Sequence, residues 1–417
     1  NEIDEPMFTQ PMMYRAVKQH PSPLAVYSQR LIEEGTISSK EKKEIDEKVY
    51  NILQSEFEAA KTYVPKTGDW LESVWSGFKG PDQLARIKDT GVPMEVLKEV
   101  GAAITTLPPG LSPHKNVKKM YRNWQKALDT EQGVDWAMAE ALAIGTLLRE
   151  GNHVRLSGQD VERGTFTQRH AVIHDQKTGE RYVPLSACSE PGKPETQLTI
   201  CNSALSEYGT LGFEVGYSQE NPNSLVIWEA QFGDFANCAQ AVFDQFISAG
   251  EAKWLRQSGL VVALPHGYDG QGPEHSSARI ERFLQMSLED PFEIAPEALE
   301  PETQQFFEGR HLGTQVQNTN WQVVYPTTPA QYFHVLRRQV HREFRKPLIL
   351  FTSKMLLRHP QAKDSLTHYD DDIDNDDLGH VRFKRLIMDS AVKDRSAFPP
   401  TENGVKKVLF CSGQVYY

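Results

Sequence analysis

A glutamate, a pair of phenylalanines and two histidines are the residues of this chain whose types and spacing suit acid–base chemistry beside a flat ring. Glu207 follows a β-run at 197–202, where Asn202 or Ser203 can cap a helix. Leu205, Gly209, Gly212 and Gly216 recur three or four residues apart, so Glu207 falls in the first turn or two of a helix with little bulk on one face. A second β-run, 224–230, leads to Phe232 and Phe235, separated by Gly233 and Asp234. A carboxyl group at one strand-to-helix corner and aromatic rings at the next strand end can face each other across adjacent parallel strands. Ligands of open α/β sheets bind at such carboxyl ends. On pattern alone, the commoner role of such a glutamate is to favour the helix dipole.

The two histidines, His266 and His275, bracket a loop that follows a β-run at 260–264. Five glycines and prolines within PHGYDGQGP, residues 265–273, exclude a helix there. Residues 274–276 then start one, with Arg279, Arg282 and Phe283 on successive turns. A lone histidine is usually structural, but a rigid loop at the carboxyl end of a strand is where a substrate lies.

These groups need a sheet to hold them, and βα alternation supplies it. DWAMAEALAIGTLLRE, 135–150, is a well-patterned helix closed by Gly151, and HVRLSG is a strand after it. QDVERGTFTQRH is a loop carrying Arg163, Arg169 and His170, and 171–200 form a hairpin-like excursion. Further on, 235–246 read as a helix, 321–325 as a strand, 328–344 as a basic helix and 347–352 as a strand. Upstream, prolines at 6, 11, 21 and 23 mark residues 1–30 as irregular. Residues 24–63 carry charged helices, the second capped at Ser38–Ser39, with the charge run as a solvated face. Residues 64–133 are a connector of short helices, and 287–320 a polar, acidic surface insertion. The tract DDDIDNDD, 370–377, lacks the Gly at position six and the Glu at position twelve of a calcium-binding EF-hand loop, and reads as a solvated loop. A fresh β-run is expected at 407–411, and no internal repeat is visible.

Composition excludes several classes. The 417 residues suggest two to three domains, and 39% hydrophobic with 24% charged residues is ordinary globular usage. A net charge of −11 with pI near 5.7 and no dense basic stripe argues against nucleic-acid binding. No apolar run approaches the ~20 residues of a membrane span. Cys188, Cys201, Cys238 and Cys411 are scattered without CxxC spacing, which speaks against zinc and against a disulfide scaffold and fits a reducing compartment. An opening at Asn1 and a stop just past a β-run suggest a piece of a longer polypeptide.

LSEYGTLGFEVGYS, WEAQFGDFAN and LPHGYDGQGPEHSSARIERF together resemble the pyrimidine-binding half of a thiamine-diphosphate enzyme. NEIDEPMFTQPMMY, VRLSGQDVERGTFTQRHAVIHD and KPLILFTSKMLLRHP extend the likeness over nearly the whole chain, to the E1 components of 2-oxoglutarate dehydrogenase complexes. The resemblance implies an α/β, transketolase-like thiamine-diphosphate-binding fold, a mainly parallel sheet flanked by helices. It divides the chain into the end of a diphosphate-binding domain (1–63), a connector (64–133), a pyrimidine-binding domain (134–346) and the start of a C-terminal domain (347–417). It makes Glu207 the carboxyl group hydrogen-bonded to the aminopyrimidine and Phe235 the ring stacked on it, with Phe232 lining the same wall. It sets His275, and more loosely His266 and His170, near the substrate. No GDG followed by an NN pair is present, so no metal ligand is expected in this chain and those for Mg2+ are expected upstream of Asn1. The implied partners are a second copy in a homodimer, the dihydrolipoyl succinyltransferase (E2), the dihydrolipoyl dehydrogenase (E3) and a 2-oxo acid. The 287–320 insertion resembles the eukaryotic form, which implies the mitochondrial matrix. The 2-oxoadipate paralogue and a non-catalytic scaffold subunit are the alternatives.

Overall fold

The computed structural model describes residues 5–64, 74–80, 85, 88–189, 197–269, 272–289, 317–372, 381–384, 386–387, 407 and 409–417. The chain divides into two compact units, Asn1–Leu71 and Glu72–Tyr417. The first unit is helical: α1 (Pro11–Gln19), α2 (Pro23–Glu33) and α3 (Ser39–Ala60). Its prolines start helices rather than break them, contrary to the irregular segment expected over 1–30. Pro11 and Pro23 occupy the first helical position, where the missing N–H has no intrahelical partner to lose and φ is already helical. Ser38 and Glu41 close a full capping box on α3, each accepting from the other's backbone N–H.

In the second unit, α4 (Met94–Thr105) and α5 (Lys115–Thr130) pack together ahead of α6 (Trp136–Arg149). Asp135 caps α6 by accepting from the Met138 N–H at 2.9 Å. The sheet then follows as β1 (His153–Gly158), β2 (Leu198–Asn202), β3 (Ser224–Glu229), β4 (Val261–His266), β5 (Gln322–Val324) and β6 (Leu348–Ser353). All its pairings are parallel, in the order β2-β1-β3-β4-β6-β5. Strands such as SLVIWE and LILFTS are buried along their whole length, as a sheet covered on both faces requires. Alternate residues divide between two cores. Leu225, Ile227, Val261 and Leu350 pack on the α6 side, with α9 (Pro329–His341). Val226, Trp228, Val262 and Phe351 pack against α7 (Glu207–Glu220) and the turns after β3.

This order places a topological switch between β1 and β3: the chain leaves β1 for β2 on one side and returns for β3 on the other. It also corrects the expectation that the strands preceding Glu207 and Phe232 are neighbours, because β1 lies between β2 and β3. The expected domain boundary at 346/347 falls inside the sheet, since β6 pairs with both β4 and β5.

Local differences have local causes. The helix expected over 235–246 is a 3-10 turn, Gly233–Ala239, then a short α-turn, Gln240–Val242, and a π-turn, Phe243–Ile247. The helix expected from 274 is a 3-10 turn, Pro273–His275, and α8 (Ile280–Gln285) starts only after Arg279 in the left-handed region, φ 58°. Between them the Ala278 N–H donates to His266 Nδ1 at 3.0 Å instead of entering a helical ladder. The expected cap of α7 moves from Asn202 or Ser203 to Ser206, which accepts from Gly209 N–H at 3.3 Å. The 171–200 excursion contains the antiparallel pair Ile173–His174 and Arg181–Tyr182. Around the β-run expected at 407–411, the described residues form no strand, and a 3-10 turn follows at Gly413–Tyr416. Most of the 287–320 insertion and of the 370–377 tract lies outside the described residues.

Candidate active site

The strand ends β1, β2, β3 and β4 bring the chemistry-bearing residues to one edge of the sheet. Glu207 is the first residue of α7, after β2, and is half-buried. Its Oε1 accepts from Gln159 Nε2 at 2.7 Å, and among the described residues Oε2 has no hydrogen-bond partner. Leu211, one turn on, is fully buried, whereas Leu205 is 78% exposed. Of these two leucines near Glu207, one thus belongs to the core and the other faces solvent.

Phe232 and Phe235 flank the turn after β3, their ring centroids 6.1 Å apart and nearly perpendicular. The His275 ring lies flat on Phe232, centroids 4.1 Å apart at 14°, and edge-on to Phe235 at 5.3 Å. Gly233 makes this turn possible: a Cβ there would lie 2.5 Å from both Ala278 Cβ and Pro265 O. Phe166, from the loop after β1, adds an edge contact to Phe232 at 5.8 Å.

Asp234 is the member that pattern reasoning missed. Its carboxylate oxygens lie 3.0 and 3.1 Å from His275 Nδ1, and the residue is buried. Nδ1 therefore carries the hydrogen, and Nε2 is left to exchange a proton, with the Glu274 carboxylate 3.8 Å away. The aspartate stands between the two phenylalanines in FGDF, so its placement beside the site was available from the sequence, though its partner was not. Cys238, exposed on the same turn, is held above its usual range first by desolvation, then by the charges of Glu207 and Asp234. The helix that Glu207 starts packs on this turn, Leu211 and Val215 sharing a core with Ala236 and Ala239.

Lys354, just beyond β6, was also missed. Its side chain is 1% exposed, donates to the His275 carbonyl and stands 5.4 Å from the Phe232 ring centre. It ties the His275 turn to the sheet from below and acts on His266. Burial first, then Lys354, depresses the His266 pKa, and with Nδ1 accepting from Ala278 the ring is neutral with its hydrogen on Nε2. His266 is edge-on to Tyr325 and Phe351, each 5.8 Å away. His170 does not join this group. Its carbonyl accepts from Tyr121 OH at 3.1 Å, and its ring, depressed by burial and by Arg163, has Asp160 and His114 for charged neighbours.

Beneath the turn lies a buried ion cluster. Arg169 joins Glu140 of α6 to Glu229 at the end of β3, and Tyr332 of α9 donates to Glu140 at 2.6 Å. This cluster and Lys354 line a small cavity together with Trp136, Phe166 and Pro265.

A carboxyl, a flat aromatic face and an aspartate-held imidazole thus stand near a topological switch point, the place where open α/β sheets bind ligands. Residues 132–360 match the family described as transketolase, pyrimidine binding domain. The chain belongs to that transketolase-type family. Its first part, 1–67, matches the dehydrogenase E1 component family. Over its whole length it is 48% identical to the mitochondrial 2-oxoglutarate dehydrogenase of Schizosaccharomyces pombe and 49% identical to that of Saccharomyces cerevisiae. It is 46% identical to the 2-oxoglutarate dehydrogenase E1 component of Brucella anthropi. The chain spans 39% of the length of each yeast relative and 38% of the Brucella one. The parallel sheet, the switch point and the helices on both faces are the transketolase-type α/β architecture.

Proposed function

We propose that the site binds the aminopyrimidine of thiamine diphosphate, and that the full-length protein is the E1 component of a 2-oxoglutarate dehydrogenase complex. On this reading it decarboxylates 2-oxoglutarate and passes the succinyl group to lipoyl-lysine on E2, with E3 completing the cycle. The observation that carries it is the meeting of Phe235 with the Asp234-held His275 on the turn that packs against the helix Glu207 starts. The names of the relatives favour 2-oxoglutarate over 2-oxoadipate, and the eukaryotic ones favour the mitochondrial matrix.

The residues present suit the cofactor: a half-buried carboxyl for a ring nitrogen and a phenylalanine face for the ring. Bound, thiamine diphosphate supplies an electron sink for loss of carbon dioxide from a 2-oxo acid. Glu207 holds a proton at Oε2 toward the ring nitrogen, Phe235 and Phe232 fix the ring plane and exclude water. His275 Nε2 moves a proton at the reacting centre, and the neutral His266 offers only an Nε2–H. Ligands for Mg2+ are assigned to the part of the relatives' length that this chain does not span. A homodimer fits the exposed face of α7, where Tyr208 and Phe213 are exposed and a Cβ at Gly212 or Gly216 would meet open space.

Turnover by the full-length protein with E2 and E3 tests the assignment. The value of kcat/KM for 2-oxoglutarate is expected to exceed that for 2-oxoadipate by roughly tenfold or more, the worth of one methylene in a fitted pocket. Absence of thiamine-dependent turnover would refute it. Phe235→Ala is expected to weaken cofactor binding by roughly 1–3 kcal/mol through lost burial and stacking, and Phe232→Ala by less. Calorimetry giving the reverse order would move the stacking ring to Phe232.

A further inference from the structure

We propose that Gln159 is a positioning residue that selects which oxygen of Glu207 carries the proton. The inference deepens the reading of Glu207 above and rests on it.

Gln159 follows β1, the strand that separates the Glu207 corner from the Phe232 turn. Its backbone is fixed on both sides. Gly158 O accepts from Ser203 N–H at 2.7 Å, and Asn202 Oδ1 accepts from Glu162 N–H at 3.1 Å, so the loop after β1 is tied to the end of β2. Gly158 itself lies close against β3, where it is paired with Glu229 and a Cβ would lie 2.3 Å from Glu229 O. From this anchored position Gln159 Nε2 reaches Leu205 O at 3.0 Å and Glu207 Oε1 at 2.7 Å. Leu205 O can only accept, so the amide must present its nitrogen, and its two hydrogens are committed, one to each oxygen.

The consequence falls on the carboxyl group. Oε1 receives an N–H and is thereby held as an acceptor. A proton on Glu207 then resides on Oε2, the oxygen without a partner among the described residues and the one left to face a ligand. A carboxyl without this tie distributes its proton over two oxygens and rotates about its terminal bond. With it, the donor oxygen is set before the ligand arrives, which is preorganisation of the kind that lowers a proton-transfer barrier. Cys238 and Asp234, on the turn after β3 that packs against α7, are the ionisable groups of that element. Neither supplies the tie.

The test uses the full-length enzyme loaded with thiamine diphosphate and Mg2+, following deuterium exchange at C2 of the bound cofactor by quenched NMR. Gln159→Leu is expected to slow exchange roughly 10- to 100-fold, with cofactor affinity changed by no more than about threefold. Gln159→Glu sets a second carboxyl beside Glu207, so the pair shares a proton and the pH profile of exchange moves upward by about one unit or more. A purely structural tie would lower affinity and exchange together in Gln159→Leu, which would overturn the proposal. So would exchange in Gln159→Leu within about twofold of wild type. Should Gln159→Leu fail to fold, Gln159→Met, an unbranched side chain of the same length without the amide, takes its place with the same two outcomes. Failure of the underlying reading is separately visible: wild-type protein without cofactor-dependent exchange, or Glu207→Gln exchanging at the wild-type rate, removes Glu207 from the role and Gln159 with it.

Discussion

Glu207→Gln in the full-length protein is expected to bind thiamine diphosphate with near-native affinity and to exchange the C2 proton about 10²- to 10⁴-fold more slowly. The size of the loss follows from the site. An amide fits the space of the carboxyl, and its oxygen can still accept from Gln159, whose nitrogen is 2.7 Å from Oε1. The amide NH2 then points where Oε2 was, and can donate a hydrogen bond to a ring nitrogen but cannot deliver a proton. Binding contacts persist and proton transfer does not, so affinity and exchange separate. Phe235, the other wall of the site, is untouched, which keeps the affinity arm of the measurement clean. A loss in exchange smaller than about tenfold would show that the carboxyl is not the acid.

The sheet was legible because its strands are fully buried, and buried parallel strands write themselves as short unbroken runs of Val, Ile and Leu between Gly- and Asn-marked turns. Their ends fell within a few residues of the runs in the sequence. Strand order was not legible. Nothing in the local pattern says that β1 is inserted between β2 and β3, and that insertion is what makes Gln159, rather than a neighbour of Phe232, the partner of Glu207. The two phenylalanines and His275 were visible as residues at strand ends, and they do meet.

Asp234 and Lys354 were missed for different reasons. Asp234 reads as a turn residue after a glycine, and only its contact with His275 Nδ1 gives it a role. Lys354 follows a strand, and a sequence carries no sign that β6 pairs with β4 and so brings the ammonium under the His275 turn. The prolines of the first helices misled in the opposite direction. Proline breaks a helix interior but starts one at its first position, and composition alone does not distinguish the two.

Arg169 was seen in the sequence as one loop residue among several, yet it is expected to be the most costly buried side chain to neutralise near the site. Arg169→Met is expected to destabilise the second unit by about 3–5 kcal/mol, read as a lowered denaturant midpoint for the full-length protein. Its guanidinium is 6% exposed and bonds Glu140, Glu229 and the Val161 carbonyl, the last at 3.2 Å. Methionine keeps most of the volume, so the loss is electrostatic: two buried carboxylates remain, with Tyr332 OH donating to Glu140 and Gln168, Thr352 and Lys354 also lining their cavity. The same reasoning gives the control. Arg169→Met combined with Glu140→Gln and Glu229→Gln removes the stranded charge and is expected to recover more than half of the loss, because replacing a whole buried ion cluster is often near neutral whereas removing one member is not. A triple variant no more stable than the single one would assign the cost to packing. The cluster joins α6 to the end of β3, five residues before Asp234, so the single variant is also expected to loosen the turn that holds His275. Turnover is therefore expected to fall in the single variant under conditions where it is still folded, and to return with stability in the triple.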